Sequence, residues 1–380
     1  MNFKKLIYKV KVEFLSRFYI LNAKKLQKEA SKDKKINQFI LDNIEKKKYS
    51  YDLSICIPTY ARVEKKKYLD YAIKKIDEAI NFSQFKNYEV VIFDNCSDFN
   101  LDELVQKYNK LNIKLFKNDK KIEAHESIYN AVNLSSGKYI YIHMDDDYID
   151  TKFFEDIKVN LNKGYEFMIC RTKSVWDEDY DKTEFNWTWT SPNSDRTCEF
   201  VPSDKFIYYP VAASCMIFER KFFENYGVIP SIKNGIDLDL CFRVRRYVKK
   251  ALFLYNSVNF YRFHPYQGSK NTEEDPQNFE RLIWMIEKSN IVFKYFENQK
   301  QAQKLSILYT LVYALILDGK GRFDQSIDAN IEFNNLDEWG KLQFGIIWSK
   351  SFFELYKKNL RFVDQFDIIN RSLKILDAEA

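Results

Sequence analysis

Asp145, Asp146 and Asp147 stand in immediate succession after Gly137-Lys-Tyr-Ile-Tyr-Ile-His-Met, an apolar and aromatic run. Three adjacent carboxylates repel one another. A folded chain holds them together most readily around a hard divalent cation such as Mg²⁺ or Mn²⁺, which takes oxygen ligands. A solvated acidic loop has the same composition, so the triplet alone leaves both readings open. A second acid, Asp237, opens the stretch Ile236-Asp-Leu-Asp-Leu-Cys-Phe-Arg. There Ile236, Leu240, Val244 and Tyr247 recur at helical spacing, which puts Asp237 in a first turn, where the helix dipole favours an anion. Capping alone would account for one acid at that place. Asp239 is spaced to pair with Arg243 on the helix surface.

The elements that must position these acids follow a regular alternation. Branched and aromatic residues at 139–142 favour a strand, with Gly137 stopping the helix before it. Upstream, strands are expected at 53–57, 89–93 and 113–116, and helices at 65–80, 101–111 and 123–134. Strand, helix, strand at this spacing means right-handed crossovers and an α/β fold, a mostly parallel sheet with helices on both faces. In such sheets ligands sit beyond the carboxyl ends of the strands. Pro58-Thr-Tyr-Ala-Arg62, Asp94-Asn-Cys-Ser97 and Asp145–Asp147 all fall at that edge. Further on, a helix is expected at 153–161 and strands at 165–170 and 210–218, the last bringing Ser214 and Cys215 near the pocket. His143 falls inside the fourth strand and His125 in a helix.

Taken together, Ile55-Cys-Ile-Pro-Thr-Tyr-Ala-Arg62, Val91-Ile-Phe-Asp-Asn-Cys-Ser-Asp98 and the run from Gly137 to Asp147 resemble the family 2 glycosyltransferases of GT-A fold, over roughly residues 52–265. The resemblance implies a nucleotide-sugar donor, UDP-linked by preference, a divalent Mn²⁺ or Mg²⁺ on its diphosphate, and inversion at the anomeric carbon. Pro58, Thr59, Tyr60 and Arg62 then line the nucleotide pocket, Asp94 reads the base and Asp145 faces the ribose. Asp146, also near the nucleotide, or Asp147 holds the metal with His264. Asp237 matches the second acid of the family's acid-acid-x-x-Leu motif, the catalytic base, with Asp239 in reserve. Met144 and Ile236 replace acids that the family usually carries, and Asn95-Cys96 stands where Asp-Gly is commoner. These departures keep a second reading open, a catalytically decayed scaffold that only binds carbohydrate. Trp187, Trp189 and Arg262 are the acceptor-side candidates, the tryptophans suited either to core packing or to sugar faces. A surface polysaccharide or lipooligosaccharide acceptor in a bacterium is implied.

The 380 residues suffice for a sizeable core, and three parts are expected: a basic helical extension at 1–50, the α/β domain at 51–270 and a helical region at 271–380. The net charge of +6 favours anionic partners, but no nucleic-acid motif accompanies it. Six cysteines without paired zinc spacing point to a reducing compartment and no disulfide framework. Lys9, Lys11 and Glu13 interrupt any signal peptide, and no window reaches the roughly 18 apolar residues of a membrane span. A cytoplasmic protein is expected. In the extension, Phe3, Leu6, Ile7, Val10, Phe14 and Phe18 recur at helical spacing among lysines. Such a helix packs one face on the body or lies on an anionic membrane surface at the inner face of the cytoplasmic membrane, next to a lipid-linked acceptor. Helices at 279–296, 305–317, 342–356 and 362–376 could cap the acceptor cleft, form a homo-oligomer or bind a partner.

Overall fold

The computed structural model describes residues 3–30, 44–177, 194–202, 212–227, 236–264, 307 and 365–378. The chain groups into two compact units, residues 39–266 and residues 1–38 with 267–380.

In the larger unit the elements are β1 (Tyr51–Thr59), α1 (Lys66–Ser83), β2 (Tyr88–Asp94), α2 (Leu101–Lys107), β3 (Ile113–Lys117), α3 (Ala124–Leu134), β4 (Gly137–Ile142), β5 (Tyr148–Ile149) and α4 (Phe153–Asn160). They continue with β6 (Phe167–Trp176), β7 (Cys198–Phe200), β8 (Met216–Glu219), α5 (Arg220–Tyr226), α6 (Ile236–Tyr247) and β9 (Ala251–Phe263). Among the described residues all nine strands form one sheet in the order β3-β2-β1-β4-β8-β6-β9-β5, with β7 on β9. From β3 to β4 the pairing is parallel. Beyond β4 the sheet is mixed: β8 runs antiparallel to β4 and β6, while β6 and β9 are parallel. Parallel strands buried on both faces carry continuous apolar runs, and β2 is buried at every residue. The helices press Leu69, Ile73, Ile76, Leu104, Ile128 and Phe154 onto the sheet. Cys56, Cys170 and Cys215 pack there as small apolar residues.

Several boundaries differ from expectation. The fourth strand ends at Ile142, so His143 opens the loop after it, buried, with Nδ1 3.2 Å from the Tyr141 hydroxyl. The second helix stops at Lys107, well short of Leu111. Among the described residues of the stretch expected as a strand at 210–218, the strand starts at Met216, running to Glu219, and is preceded by the 3₁₀ turn Ala213–Cys215. Gly137 does not end a helix in left-handed conformation; α3 closes on Ser135 with extended backbone. Glycine is needed at 137 because a Cβ would lie 2.4 Å from the Ser54 amide nitrogen across the β1–β4 ladder. Arg243 is buried rather than on the helix surface, donating to the Tyr226 carbonyl at 3.2 Å.

The amino ends of the parallel strands are tied by one buried acid. Glu89 accepts from the Ser54 hydroxyl at 2.6 Å and from the Lys114 ammonium at 2.7 Å, and it also takes the Ser136 amide. Burial raises its pKa, but these donors outweigh it and hold the carboxylate ionised.

In the smaller unit, α7 (Phe3–Ala30) packs on α8 (Gln365–Ala378). The Tyr8 hydroxyl donates to Asp367 at 2.6 Å and Arg371 pairs with Glu13. The buried face of α7 is Val12, Ser16, Tyr19, Ile20 and Ala23, not the periodic set beginning at Phe3. The helices expected at 279–296, 305–317 and 342–356 lie outside the described residues, apart from Ile307. Among the described residues no helix is long and apolar enough to cross a membrane.

Candidate active site

Sheet register brings three loops to one edge. Thr59 pairs with Asp94 and Cys56 with Ile142, so β1, β2 and β4 end side by side. The first two loops are laced together. The Asn95 amide donates to the Thr59 carbonyl at 2.7 Å, and the Ala61 amide donates to the Ser97 hydroxyl at 2.9 Å. One Asp94 oxygen caps its own loop, accepting the Ser97 amide at 2.8 Å. The Asn95 side chain clamps the Ile122 backbone through both its amide and its carbonyl, each at 2.8 Å. Cys96, where the related motif more often has glycine, sits at φ +66°, a left-handed conformation that L residues resist. Above these loops Tyr60 lies under two cations, with Lys121 Nζ 4.0 Å and the Arg62 guanidinium 5.6 Å from its ring centre.

Each acid of the triplet has a different partner. Asp145 accepts from Thr59 Oγ1 at 2.6 Å. Asp146 lies 2.9 Å from His264 Nε2 and 3.7 Å from the Lys65 ammonium. Asp147 is buried, and both of its oxygens are taken: one by the Ser214 hydroxyl, the other by the Arg262 amide at 3.0 Å. Burial, and then the charge of Asp146, raise the pKa of Asp145 and push that of Asp147 up to about 8. Burial acts on Asp146 as well. The His264 hydrogen bond, Lys65 and Arg262 outweigh it and keep that carboxyl below its usual range.

β9 supplies the far side. The buried Arg262 guanidinium sits over the rings of Tyr68, Tyr148 and Tyr71 at 4.8, 5.1 and 5.3 Å. His264 packs on Tyr68 with ring centres 4.6 Å apart. Tyr68 in turn donates to Asp177 at 2.6 Å.

Asp237 lies in the first turn of α6, as its spacing predicts, and accepts the Ala213 amide at 2.9 Å. The next residue of the same turn is Ser214, which holds Asp147 and receives the Asn259 amide at 3.0 Å. Three residues of 3₁₀ turn thus connect the acid loop to Asp237. Trp187, Trp189 and the Asp239 side chain lie outside the described residues. Sequence reasoning missed Lys65, Asn259 and the tyrosine cage. Only the placement of Lys65 just beyond β1 was a signal; Asn259 lies in β9 and Tyr148 pairs with it, while Tyr68 and Tyr71 reach Arg262 from α1.

No three His, Cys, Asp or Glu side chains among the described residues stand together as a ready metal-ligand set. Asp146 and His264 nevertheless offer an oxygen and an imidazole nitrogen side by side, donors that suit Mn²⁺. Two neighbouring carboxyls with raised pKa values mark a place that would gain from added positive charge. Mg²⁺ sites in particular often use one or two protein groups and complete the shell with phosphate and water.

Residues 54–227 match the model of the family "Glycosyl transferase family 2". A search of curated protein sequences found no match. Among solved structures, the chain is similar to S. aureus TarS 1-349 in complex with UDP-GlcNAc, with TM-score 0.52 and 14% identity over 86% of this chain and 91% of that one. The same fragment in complex with UDP gives TM-score 0.50 at 15% identity over the same shares. Against the longer TarS structure the TM-score is 0.51 at 15% identity, covering 86% of this chain and 55% of TarS. At these identities the structural likeness establishes the fold, and that fold is GT-A.

Proposed function

Residues 54–227 are a family 2 glycosyl transferase domain, and from that premise we propose that this glycosyltransferase moves a sugar from a nucleotide-sugar donor to a hydroxyl of a glycan or lipid-linked acceptor by a single inverting displacement. The observation that carries the reading is the turn Ala213–Cys215, whose consecutive residues hold Asp237 and Asp147. An acid in the first turn of α6 is thereby fixed next to the loop where a diphosphate would bind. UDP is the favoured nucleotide because the TarS structures hold UDP-GlcNAc and UDP. The acceptor class, a bacterial surface polysaccharide or lipooligosaccharide, rests on the motif resemblance.

The nucleotide base would lie between Asp94 and Tyr60, with Pro58, Thr59, Arg62 and Lys121 around it and Asp145 toward the ribose. Asp146 and His264 are the residues that would hold Mn²⁺ or Mg²⁺, and when bound the ion supplies Lewis-acid stabilisation of the leaving diphosphate. Asp147, with both oxygens engaged, keeps the loop in shape. Lys65 adds a permanent positive charge beside Asp146 and stays in place without the ion. Asp237 removes the proton of the attacking hydroxyl as the new bond forms on the face opposite the diphosphate.

The test is thermal stabilisation by UDP, GDP, TDP and CMP with and without Mn²⁺, since a ligand binding only the folded state raises its melting temperature. Stabilisation by UDP that requires Mn²⁺ is expected; none by any nucleotide would overturn the donor assignment. Asp237→Asn should lower sugar transfer by about a thousandfold or more while leaving the UDP-dependent stabilisation intact, because it removes the base and not the pocket. Retained turnover would move the base elsewhere, first to Asp239.

A further inference from the structure

The N-terminal helix α7 is apolar on two opposite faces, and only one of them is covered by described residues. Tyr19, Ile20 and Ala23 are buried, while Phe3, Ile7, Val10, Phe14, Phe18 and Leu21 form a second stripe about 27 Å long at 1.5 Å per residue. Phe3 is 73%, Phe14 68% and Leu21 66% exposed. The stripe follows a spacing of three and four residues, so it is one continuous line and not scattered exposure.

Charge decides what covers it. The helix carries Lys4, Lys5, Lys9, Lys11, Arg17, Lys24, Lys25 and Lys28 against Glu13 and Glu29, a net charge of +6. That equals the net charge of all 380 residues, so the remainder of the chain is electrically balanced. On a helical projection Lys4 and Lys11 border the stripe on one side, Arg17 and Lys24 on the other. Two copies meeting stripe to stripe would bring these basic borders together, whereas an anionic surface satisfies apolar line and basic rim at once.

We infer that α7 docks the protein on an anionic lipid surface, its phenylalanine stripe in the headgroup and acyl boundary and its lysines on the lipid phosphates. The inference stands apart from the donor chemistry. It gives an acceptor anchored in that surface a reason to meet the enzyme there.

The test is co-sedimentation of the full chain with vesicles of pure phosphatidylcholine and of phosphatidylcholine with 30% phosphatidylglycerol. Binding to the second and not the first is expected, falling steeply between 0.05 and 0.5 M NaCl as screening shortens. Phe14→Ser with Phe18→Ser should lower binding at least tenfold while melting temperature and UDP stabilisation stay put. Lys4→Gln with Lys11→Gln, which leaves the apolar line intact and serves if the first variant misfolds, should lower it about fivefold per lysine. Absence of binding to the anionic vesicles, or binding untouched by both variants, overturns the inference. So does an ultracentrifugation mass of two chains that the phenylalanine variant returns to one, which would assign the stripe to a second copy. Loss of UDP stabilisation with lipid binding retained would instead count against the donor assignment and leave this inference standing.

Discussion

At the scale of single residues, the three acids of one loop are set to three different tasks by their neighbours. Asp147 shows how far this goes, because its pKa of about 8 means that the folded protein keeps a proton the unfolded chain has already released. The sign follows directly. Stability from this site is full below the ordinary carboxylate range near pH 4 and is lost as pH rises toward 8. Asp146 works the other way, favouring the fold above pH 4. In metal-free protein, Asp147→Asn should therefore flatten the fall in stability between pH 5 and 7.5 by up to about 1.4 kcal/mol per pH unit, read as urea midpoints at several pH values. An unchanged slope would place the titrating group elsewhere. The identity of the acids was legible in the sequence, since adjacent carboxylates at a strand end are conspicuous. Their division of labour was not. It depends on Ser214 and Arg262, which lie 67 and 115 residues away from Asp147.

At the scale of elements, the β1–β4 ladder sets the height at which the loops meet, and Gly137 governs how closely the two strands approach. Gly137→Ala would force a Cβ against the Ser54 backbone and should cost about 2–3 kcal/mol. For a unit of this size that is a loss of roughly 5–10 °C in melting temperature, measurable by calorimetry. Gly164→Ala is the control. Its φ is +74° but no atom lies within 4 Å, so only the backbone penalty of about 1 kcal/mol remains. The first half of the sheet could be read from sequence because each parallel strand is followed by the helix that covers it, and the apolar spacing changes from two to between three and four within a few residues. The second half could not. β8 inserts antiparallel between β4 and β6, and β9 finds its partners β5, β6 and β7 across long stretches of chain, pairings that no local pattern encodes. Missing β9 meant missing Asn259 and the contact of Arg262 with Tyr68, Tyr71 and Tyr148.

At the scale of the whole molecule, the large apolar cluster draws its buried residues from between Ile44 and Leu254. Residues 39–266 produced alone should accordingly fold, with one cooperative melt and the UDP-dependent shift of the full chain. A broad or absent transition would show that the remaining residues are needed for folding. The order in which that unit is made matters as well. Asp146 and Asp147 leave the ribosome 118 and 115 residues before His264 and Arg262, their partners at the end of β9. At translation speeds of roughly 5–20 residues per second this is an interval of about 6–25 s. Through that time the nascent chain carries a cluster of negative charge with Lys65 beside it but without His264 and Arg262, on a half-sheet whose edge at β4 is still open. Among the described strands the last one synthesised is thus the one that completes the partners of the acids, and ribosome-bound chains ending before residue 260 should hold their first four strands without holding a site.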